Sequence, residues 1–489
     1  MEESQPLLGH VAECEIHATS QTLVDFDPKG DAENPLEWPK AYKNGVVALL
    51  AFMAFTVTFT CIGVVPVADQ IVLDLKGKED KSASVLLVTV WELGEAAGPL
   101  LIAPLSEIYG RYIVFNIANV VFILATILSA LSQSSSMFIF TRFLTGFAVA
   151  SNVLNPAIIG DIFKSEERAS GMSLIMLAPL LGGAIGPAIS GAIAETLGWR
   201  NILYMAALVA IVCEVAFFTL LRETYKVPIL QRRAARLREE TKDESLRCAY
   251  DGKSEVLGWA ALRTAITRPV IILFDSFVLQ ILSFYGGLVF TLYYVMATTF
   301  PTVLREVYGF SPAKVGSSFL VFSIGATCGI VICNLLVDRI YISLGKSRGG
   351  VALPEYRMPL LIVASVCLPF MIALYGWTPY VHWPLVVLLI AVALIGVLII
   401  VCWVPLASYV VDAFGLYAAS AMTMTIIFRG VVSTLVPLAI PALTGAVGLG
   451  YCFVIMGAIM FALIPLPLLV TVYGKRWRST SKYTNSELA

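Results

Sequence analysis

The chain has 489 residues, of which 58% are hydrophobic and 14% charged, and its formal net charge is −1. No ordinary soluble protein is so apolar over this length, and a near-neutral chain gives no global case for nucleic acid or an acidic partner. The length suffices for about twelve membrane crossings of roughly 20 residues each, with loops.

Residues 1–43 are polar and acidic, without the basic start and short apolar core of a signal peptide. They read as a disordered cytosolic tail. Glu3, Leu7 and Leu8 match an acidic dileucine sorting signal, which implies a vacuolar route as the alternative to the plasma membrane. Pro35 and Pro39 prevent helix before the first crossing, and Trp38 suits the membrane interface. Apolar runs follow at 44–66, 84–104, 112–132, 137–159, 169–194 and 199–221, and then at 271–300, 315–337, 358–376, 381–404, 415–441 and 446–472. The expectation is an all-α integral membrane protein: six helices in 44–221, a cytosolic central loop 222–269, six helices in 270–472 and a basic cytosolic tail 473–489.

Lys and Arg set the orientation. With the N-terminus inside, the far side holds only Lys76, Lys78, Lys81, Arg200, Arg305 and Lys314; apart from Arg142 and Arg429, which lie within apolar runs, the others crowd the tails, the central loop and the cytosolic turns. In the central loop, Gln231–Glu240 is a strong helix former of mixed charge. Trp259, Leu262 and Ile266 share a helical face and suggest an interfacial helix.

The two halves echo each other. Gly98 and Glu107 have the spacing of Gly329 and Asp338, each pair closing an apolar run before Arg111 or Arg339. Ala169–Ser173 echoes Ala419–Thr423, and at the same offset Pro187 matches Pro437 and Gly198 matches Gly448. Repeated six-span halves, with a site at midplane between them, are how many secondary transporters are built.

Polar groups inside the apolar runs are the functional candidates. Glu92 and Glu95 stand three apart in the second run and so share a helical face. A charge there costs on the order of 2.5–3.5 kcal/mol on insertion scales, so it faces a partner or a watery cavity rather than lipid. Arg142 lies in the fourth run and Arg429 in the eleventh, while Asp275 and Glu214 lie near cytosolic ends. Asn152 and Asn155 share a face of the fourth run, and Phe284, Tyr285, Phe290, Tyr293 and Tyr294 surround Gly286 and Gly287 in the seventh. The aromatics pack as neighbours or form a wall for a flat or cationic substrate. Three distant histidines and nine scattered cysteines suggest no metal site, and no phosphate-binding glycine loop is present, so an ion gradient must supply the energy of any transport.

Several stretches resemble the major facilitator superfamily. Residues 103–111, APLSEIYGR, resemble its loop between helices two and three: Leu105, Gly110 and Arg111 match, and Glu107 stands where an aspartate is usual. Ala103 and Tyr112 depart from that pattern, which implies one charge fewer in the gating network. Arg142 and Gly146 resemble the Arg-x-x-x-Gly motif associated with proton coupling. Gly182, Gly186, Pro187 and Gly191 resemble the antiporter signature of the fifth span, with Ser190 for one glycine, and Asn34–Lys40 is similar to the pre-membrane segment of fungal drug:proton antiporters with twelve spans. The resemblance covers nearly all of residues 30–475. It implies two pseudo-symmetric six-helix bundles, no cofactor, a bilayer-embedded monomer, and export of small hydrophobic or cationic compounds in exchange for protons. An importer of a nutrient or polyamine with the same fold, or a receptor without flux, are the alternatives. It also implies that Asn152 and Asn155 line the substrate cavity; Tyr285 and Tyr293 are the aromatic candidates for substrate contact. Glu107, Gly110 and Arg111, with Asp338 and Arg339 in the second half, would form the gate. Glu95 is expected to carry the proton, Glu92 to modulate it, and Arg142 and Arg429 to pair with them.

Overall fold

Long apolar runs become long helices because inside a bilayer each backbone N–H and C=O must find its partner within the segment. The structure is a computed structural model that describes residues 23–27, 30–164, 167–243, 245–248, 263, 266–347 and 353–484. The dileucine signal and the pair Trp259 and Leu262 lie outside the described residues. The first half comprises α1 (Lys40–Ile62), the short α2 (Ala68–Lys76), α3 (Lys81–Tyr109), α4 (Arg111–Ala130), α5 (Ser135–Phe147), α6 (Ser151–Ile162), α7 (Arg168–Thr196) and α8 (Trp199–Leu220). After α9 (Lys226–Thr241) the second half comprises α10 (Phe277–Glu306), α11 (Pro312–Ser347), α12 (Met358–Tyr380), α13 (Leu385–Phe414), α14 (Ala418–Val447), α15 (Leu449–Ala462) and α16 (Pro465–Arg478).

Among the described residues eleven stretches are long and apolar enough to cross a membrane, and the twelfth crossing is α5 followed by α6. The sequence suggests one continuous helix there, but the backbone leaves the helix at Ala148–Ala150. The amides of Ala148 and Val149 bond back to Leu144 and Gly146, and α6 restarts on the Ala150 carbonyl. No breaker marks the place, since Pro156 lies further on, inside α6. Side chains cap several starts: Asp80 accepts from the Ala83 amide at α3, Ser134 from Met137 at α5 and Ser276 from Leu279 at α10.

The repeat read from sequence reappears as matched geometry. Gly198 between α7 and α8 has φ 87° and Gly448 between α14 and α15 has φ 83°, a backbone region that glycine enters without strain. A Cβ on Gly94 or Gly98 would strike the Phe143 or Phe147 carbonyl of α5, and a Cβ on Gly325 or Gly329 the Ala393 or Val397 carbonyl of α13. In each half a glycine pair thus brings the second crossing hard against the fourth. The halves meet where α3 packs on α14 and α7 on α11. Leu208, Phe218, Ile324 and Val472 are among many exposed apolar side chains, the outward belt expected of a bilayer protein.

Residues 23–27 and 30–38 are not a free tail. Strand β1 (Leu23–Val24) pairs in parallel with β2 (Arg247–Cys248) of the central segment. Val24, Cys248, Leu230 and Ala234 form a small core, and Asp31 and Glu33 pair with Arg233 and Arg236 of α9. Burial pushes the Asp31 carboxyl up, but hydrogen bonds from Arg233 and from the Glu33 and Asp27 amides outweigh it and hold it below its usual range. The described residues ahead of α1 therefore form one unit with α9 and β2 on the tail side.

Candidate functional site

The site begins at a backbone crossing. A Cβ on Gly430 of α14 would lie 2.6 Å from the Glu92 carbonyl and from Ala96 Cβ, so only glycine lets α14 approach α3 this closely. One turn away, Thr434 Oγ1 donates to the Thr89 carbonyl (2.9 Å) and Thr89 Oγ1 donates back to the Thr434 carbonyl (3.3 Å). The crossing brings Arg429, beside Gly430, onto the carboxylate face of α3. Its Nη2 lies 3.3 Å from Glu95 Oε1 and 3.5 Å from Glu92 Oε2.

The rest of the cluster is aromatic. Tyr294 of α10 donates its hydroxyl to Glu92 Oε1 at 2.7 Å, and Trp91 Nε1 donates to Glu95 Oε2 at 3.1 Å. The Arg429 guanidinium stands over the Phe290 ring at 4.1 Å and the Trp403 ring at 5.5 Å. Tyr293 meets Tyr294 edge-on at 5.1 Å and packs on Phe322 at 4.9 Å. Glu92 is 3% exposed, so its charge is withdrawn from water. With both carboxylates ionised the three groups sum to one net negative charge, and a single bound proton makes them neutral. An uncompensated buried charge is strongly unfavourable, so one bound proton or cation would stabilise these three groups. Glu92 is held by Arg429 and Tyr294 of the second half, whereas Glu95 also takes a hydrogen bond from its own helix.

Arg142 is not a member of this cluster, which corrects the pairing expected from sequence. Its Nη1, Nη2 and Nε donate to the carbonyls of Thr60 (3.0 Å), Cys61 (2.8 Å) and Leu87 (3.4 Å), and its guanidinium lies 4.5 Å from the Trp91 ring centroid. It joins the far ends of α1 and α3 through their backbones. Arg142→Lys cannot reproduce a planar fork that meets three carbonyls. Each stranded carbonyl costs about 1–3 kcal/mol. The variant should unfold at a lower temperature in detergent. An unchanged unfolding temperature would overturn this assignment.

Of the partners open to Arg111, Glu107 or a neighbouring helix end, the structure takes the helix end. Arg111 pairs with Asp161 at the end of α6 (3.5 Å), bonds Ser106 and lies 4.6 Å from the Tyr225 ring centroid. Glu107 is exposed, and among the described residues no ion pair involves it. Glu223 accepts from the Arg111 amide (2.9 Å) and the Tyr112 amide (3.3 Å), a carboxylate at the positive end of α4. A Cβ on Gly110 would collide with it. In the second half Asp338 pairs with Arg357 (3.1 Å), which also holds Asp412, and Arg339 is outside that pair.

Other candidates fall in different places. Gly182 and Gly186 of the fifth crossing pack on α1 at Phe55, Thr58 and Phe59 within the first half. Gly191 and the Pro187 carbonyl instead meet Pro312 and Gly316 of α11, across the junction. Tyr285 is buried and shares a 2.6 Å hydrogen bond with Ser365 of α12, so it ties helices together rather than lining a cavity. Asn155 is buried and donates to the Leu50 carbonyl at 3.5 Å, a contact to α1 rather than an opening. Asn152 lies on α6, and its side chain is outside the described residues. Asp275 is far from the cluster and accepts from Ser481 and the Lys482 amide. Sequence reasoning gave Tyr294 no proton-linked role and missed Trp403, Asp161 and Glu223. An aromatic in an apolar run, or an acid at a helix end, looks the same whichever partner it finds.

Among the described residues, the hydrogen bonds and ion pairs that join the halves lie at the cluster or beyond it, away from the tails. They include Thr89–Thr434, the Glu195 carboxylate on the Ala313 amide (3.1 Å), and Arg305 on the Pro66 carbonyl. Beyond the cluster a cavity of about 620 Å³ is lined by both halves, including Asp69, Lys81, Val88, Thr298 and Glu306. Val88 and Thr298 are one helical turn from Glu92 and Tyr294, so the cavity floor abuts the cluster.

A family model described as Major Facilitator Superfamily matches residues 46–437. An efflux pump of Floropilus chiversii, radE, is 34% identical over 94% of this chain and 86% of its own length. The MFS-type transporter penM of Penicillium rubens is 32% identical over 94% of this chain and 90% of its own. Among solved structures, a D-xylose-proton symporter superposes with a TM-score of 0.65 at 15% identity, over 91% of this chain and 98% of that one. The human organic anion transporter MFSD10 gives 0.59 at 17% identity, over 88% and 100%. At these identities the two structures speak for the fold alone.

Proposed function

The chain belongs to the major facilitator superfamily, and from that membership we propose that it is a proton-coupled antiporter exporting small hydrophobic or cationic compounds by alternating access. The observation that carries the reading is the cluster at the junction, where Glu92 of the first half is held by Arg429 and Tyr294 of the second. Export is further supported by a full-length relative named as an efflux pump.

The cycle follows from the contacts. With the tails in the cytosol, the two halves are joined on the outside in the described state. When the halves part on the outside, Glu92 leaves Arg429 and Tyr294 and meets water from the 620 Å³ cavity, where it binds a proton. A neutral Glu92 no longer needs Arg429, so the substrate can leave. Closure on the outside returns Arg429 to the carboxylates and drives the proton off toward the cytosol. Tight pairing and proton binding exclude each other at Glu92, which is the coupling. Glu92 replaces Glu95 as the proposed carrier, because Glu95 keeps its Trp91 partner when the halves part. Phe290, Tyr293 and Trp403 would face the substrate's flat or cationic part. Residence in the plasma membrane and action as a monomer belong to the same reading.

Inside-out vesicles test it. With an acidified lumen they should accumulate a lipophilic cationic dye, and a protonophore should release it. Gradient-independent dye levels, equal to those of vesicles lacking the protein, would sink the proposal. Proton-linked uptake only into whole cells would replace it with import.

A further inference from the structure

The C-terminal tail is a strap fastened at several points of the second half. Arg478 is fully buried, and its Nε and Nη2 meet Glu355 Oε1 and Oε2 at 3.0 and 3.1 Å. Tyr409 of α13 donates to the same carboxylate at 3.3 Å. Beyond α16, Ser481 is 8% exposed and donates its hydroxyl to Asp275 Oδ2 at 2.6 Å; the Lys482 amide donates to that oxygen at 3.2 Å. Tyr483 packs edge-on against Tyr417 at 5.1 Å, just before α14. The strap thus gathers the tail-side ends of α10, α13 and α14 and the turn before α12. The transport cycle uses none of these contacts.

We propose that Ser481 is a phosphorylation site for a kinase that reads basic residues, and that its phosphate undocks this strap. The run Lys475-Arg476-Trp477-Arg478-Ser479-Thr480-Ser481-Lys482 surrounds three hydroxyls with four cations, which suits an acidic kinase groove. Terminal segments fray, and the frayed tail presents Ser481. The Ser481 Oγ attacks the γ-phosphorus of ATP. The bond to the bridging oxygen breaks, ADP departs, and the hydroxyl proton passes to the kinase's base. The product carries about −1.5 to −2 charges and three acceptor oxygens. It cannot return to a buried position against the Asp275 carboxylate, where a hydrogen-bond donor was required. Arg478 offers little compensation, because its Nε and Nη2 already meet Glu355 and that pairing fixes its position. Ser479 and Thr480 differ: both are exposed, and their hydroxyls bond only the Arg476 and Trp477 carbonyls, each at 2.7 Å, so a phosphate there leaves the Asp275 contact intact. In the cell the switch rests on the tails being cytosolic, where kinases and ATP are. The chemistry itself does not depend on orientation, so the test is done in detergent.

The full-length protein in micelles is treated with a basic-residue-directed serine kinase and magnesium ATP, then with trypsin. Mass spectrometry should place phosphate on Ser481, and cleavage after the buried Arg478 should become roughly tenfold faster, equivalent to about 1.4 kcal/mol of lost docking. Ser481→Glu should reproduce the faster cleavage. Adding Asp275→Asn to Ser481→Glu should restore protection, because the repelling carboxylate is gone, a rescue that general misfolding would not give. Ser479→Glu should cleave like the parent. The proposal is overturned if Ser481→Glu leaves Arg478 as protected as in the parent. It is equally overturned if Glu355→Gln, which frees the strap, is labelled only at Ser479 or Thr480.

Discussion

Glu92→Gln is expected to abolish proton-driven efflux, by roughly 100-fold or more, while downhill exchange of substrate survives. The amide keeps the size of the carboxyl, and its oxygen can still accept from Tyr294. What it loses is the ability to exchange a proton, and toward Arg429 it turns a donor that faces another donor. Glu95→Gln is the milder change, since the Trp91 N–H that donates at 3.1 Å is satisfied equally by an amide oxygen. Efflux into acid-loaded inside-out vesicles, set beside substrate counterflow without a gradient, separates the two activities. Gradient-driven transport at the parental rate by Glu92→Gln would remove Glu92 from the carrier role and return Glu95 to it.

The second large effect concerns the state rather than the chemistry. A Cβ on Gly316 of α11 would fall inside the van der Waals shell of the Pro187 carbonyl, on the opposite half of the molecule. Gly316→Leu therefore cannot close the far side without strain, at a cost of about 1–3 kcal/mol. A difference of that size shifts a two-state balance roughly 5- to 150-fold. Cys61 reports the shift: it is 6% exposed, beside Tyr294 at the closure. A small membrane-impermeant thiol reagent should label it faster in Gly316→Leu, by the same factor, and transport should fall. Parental transport with Cys61 still protected would mean that this crossing does not gate the far side. Gly186→Leu makes a useful contrast. A Cβ there would lie 3.2 Å from Phe59 Cα on α1 within the same half, so that substitution should lower stability without favouring either state.

The sequence by itself determined the architecture. Apolar runs of membrane-spanning length have one way to satisfy their backbone in lipid, and the matched glycines and prolines of the two halves repeat because both halves solve the same packing problem. It also singled out Glu92, Glu95 and Arg429, because charge in hydrocarbon is costly wherever it stands. The partners are another matter. Arg142 reads as a partner for a carboxylate, yet it spends its donors on backbone carbonyls, and carbonyls leave no trace in residue type. Arg111 could meet Glu107, four residues away, or a neighbouring helix end, and the pattern does not choose; Asp161 and Glu223 hold it. The break at Ala148–Ala150 and the clamp of the first tail onto α9 were equally invisible, since neither has a breaker or a periodicity to mark it. Only the tertiary structure decided which carboxylate is held wholly by the opposite half. Local pattern sets the cost of burying a group, while the geometry of two helices crossing at Gly430 sets which group answers it.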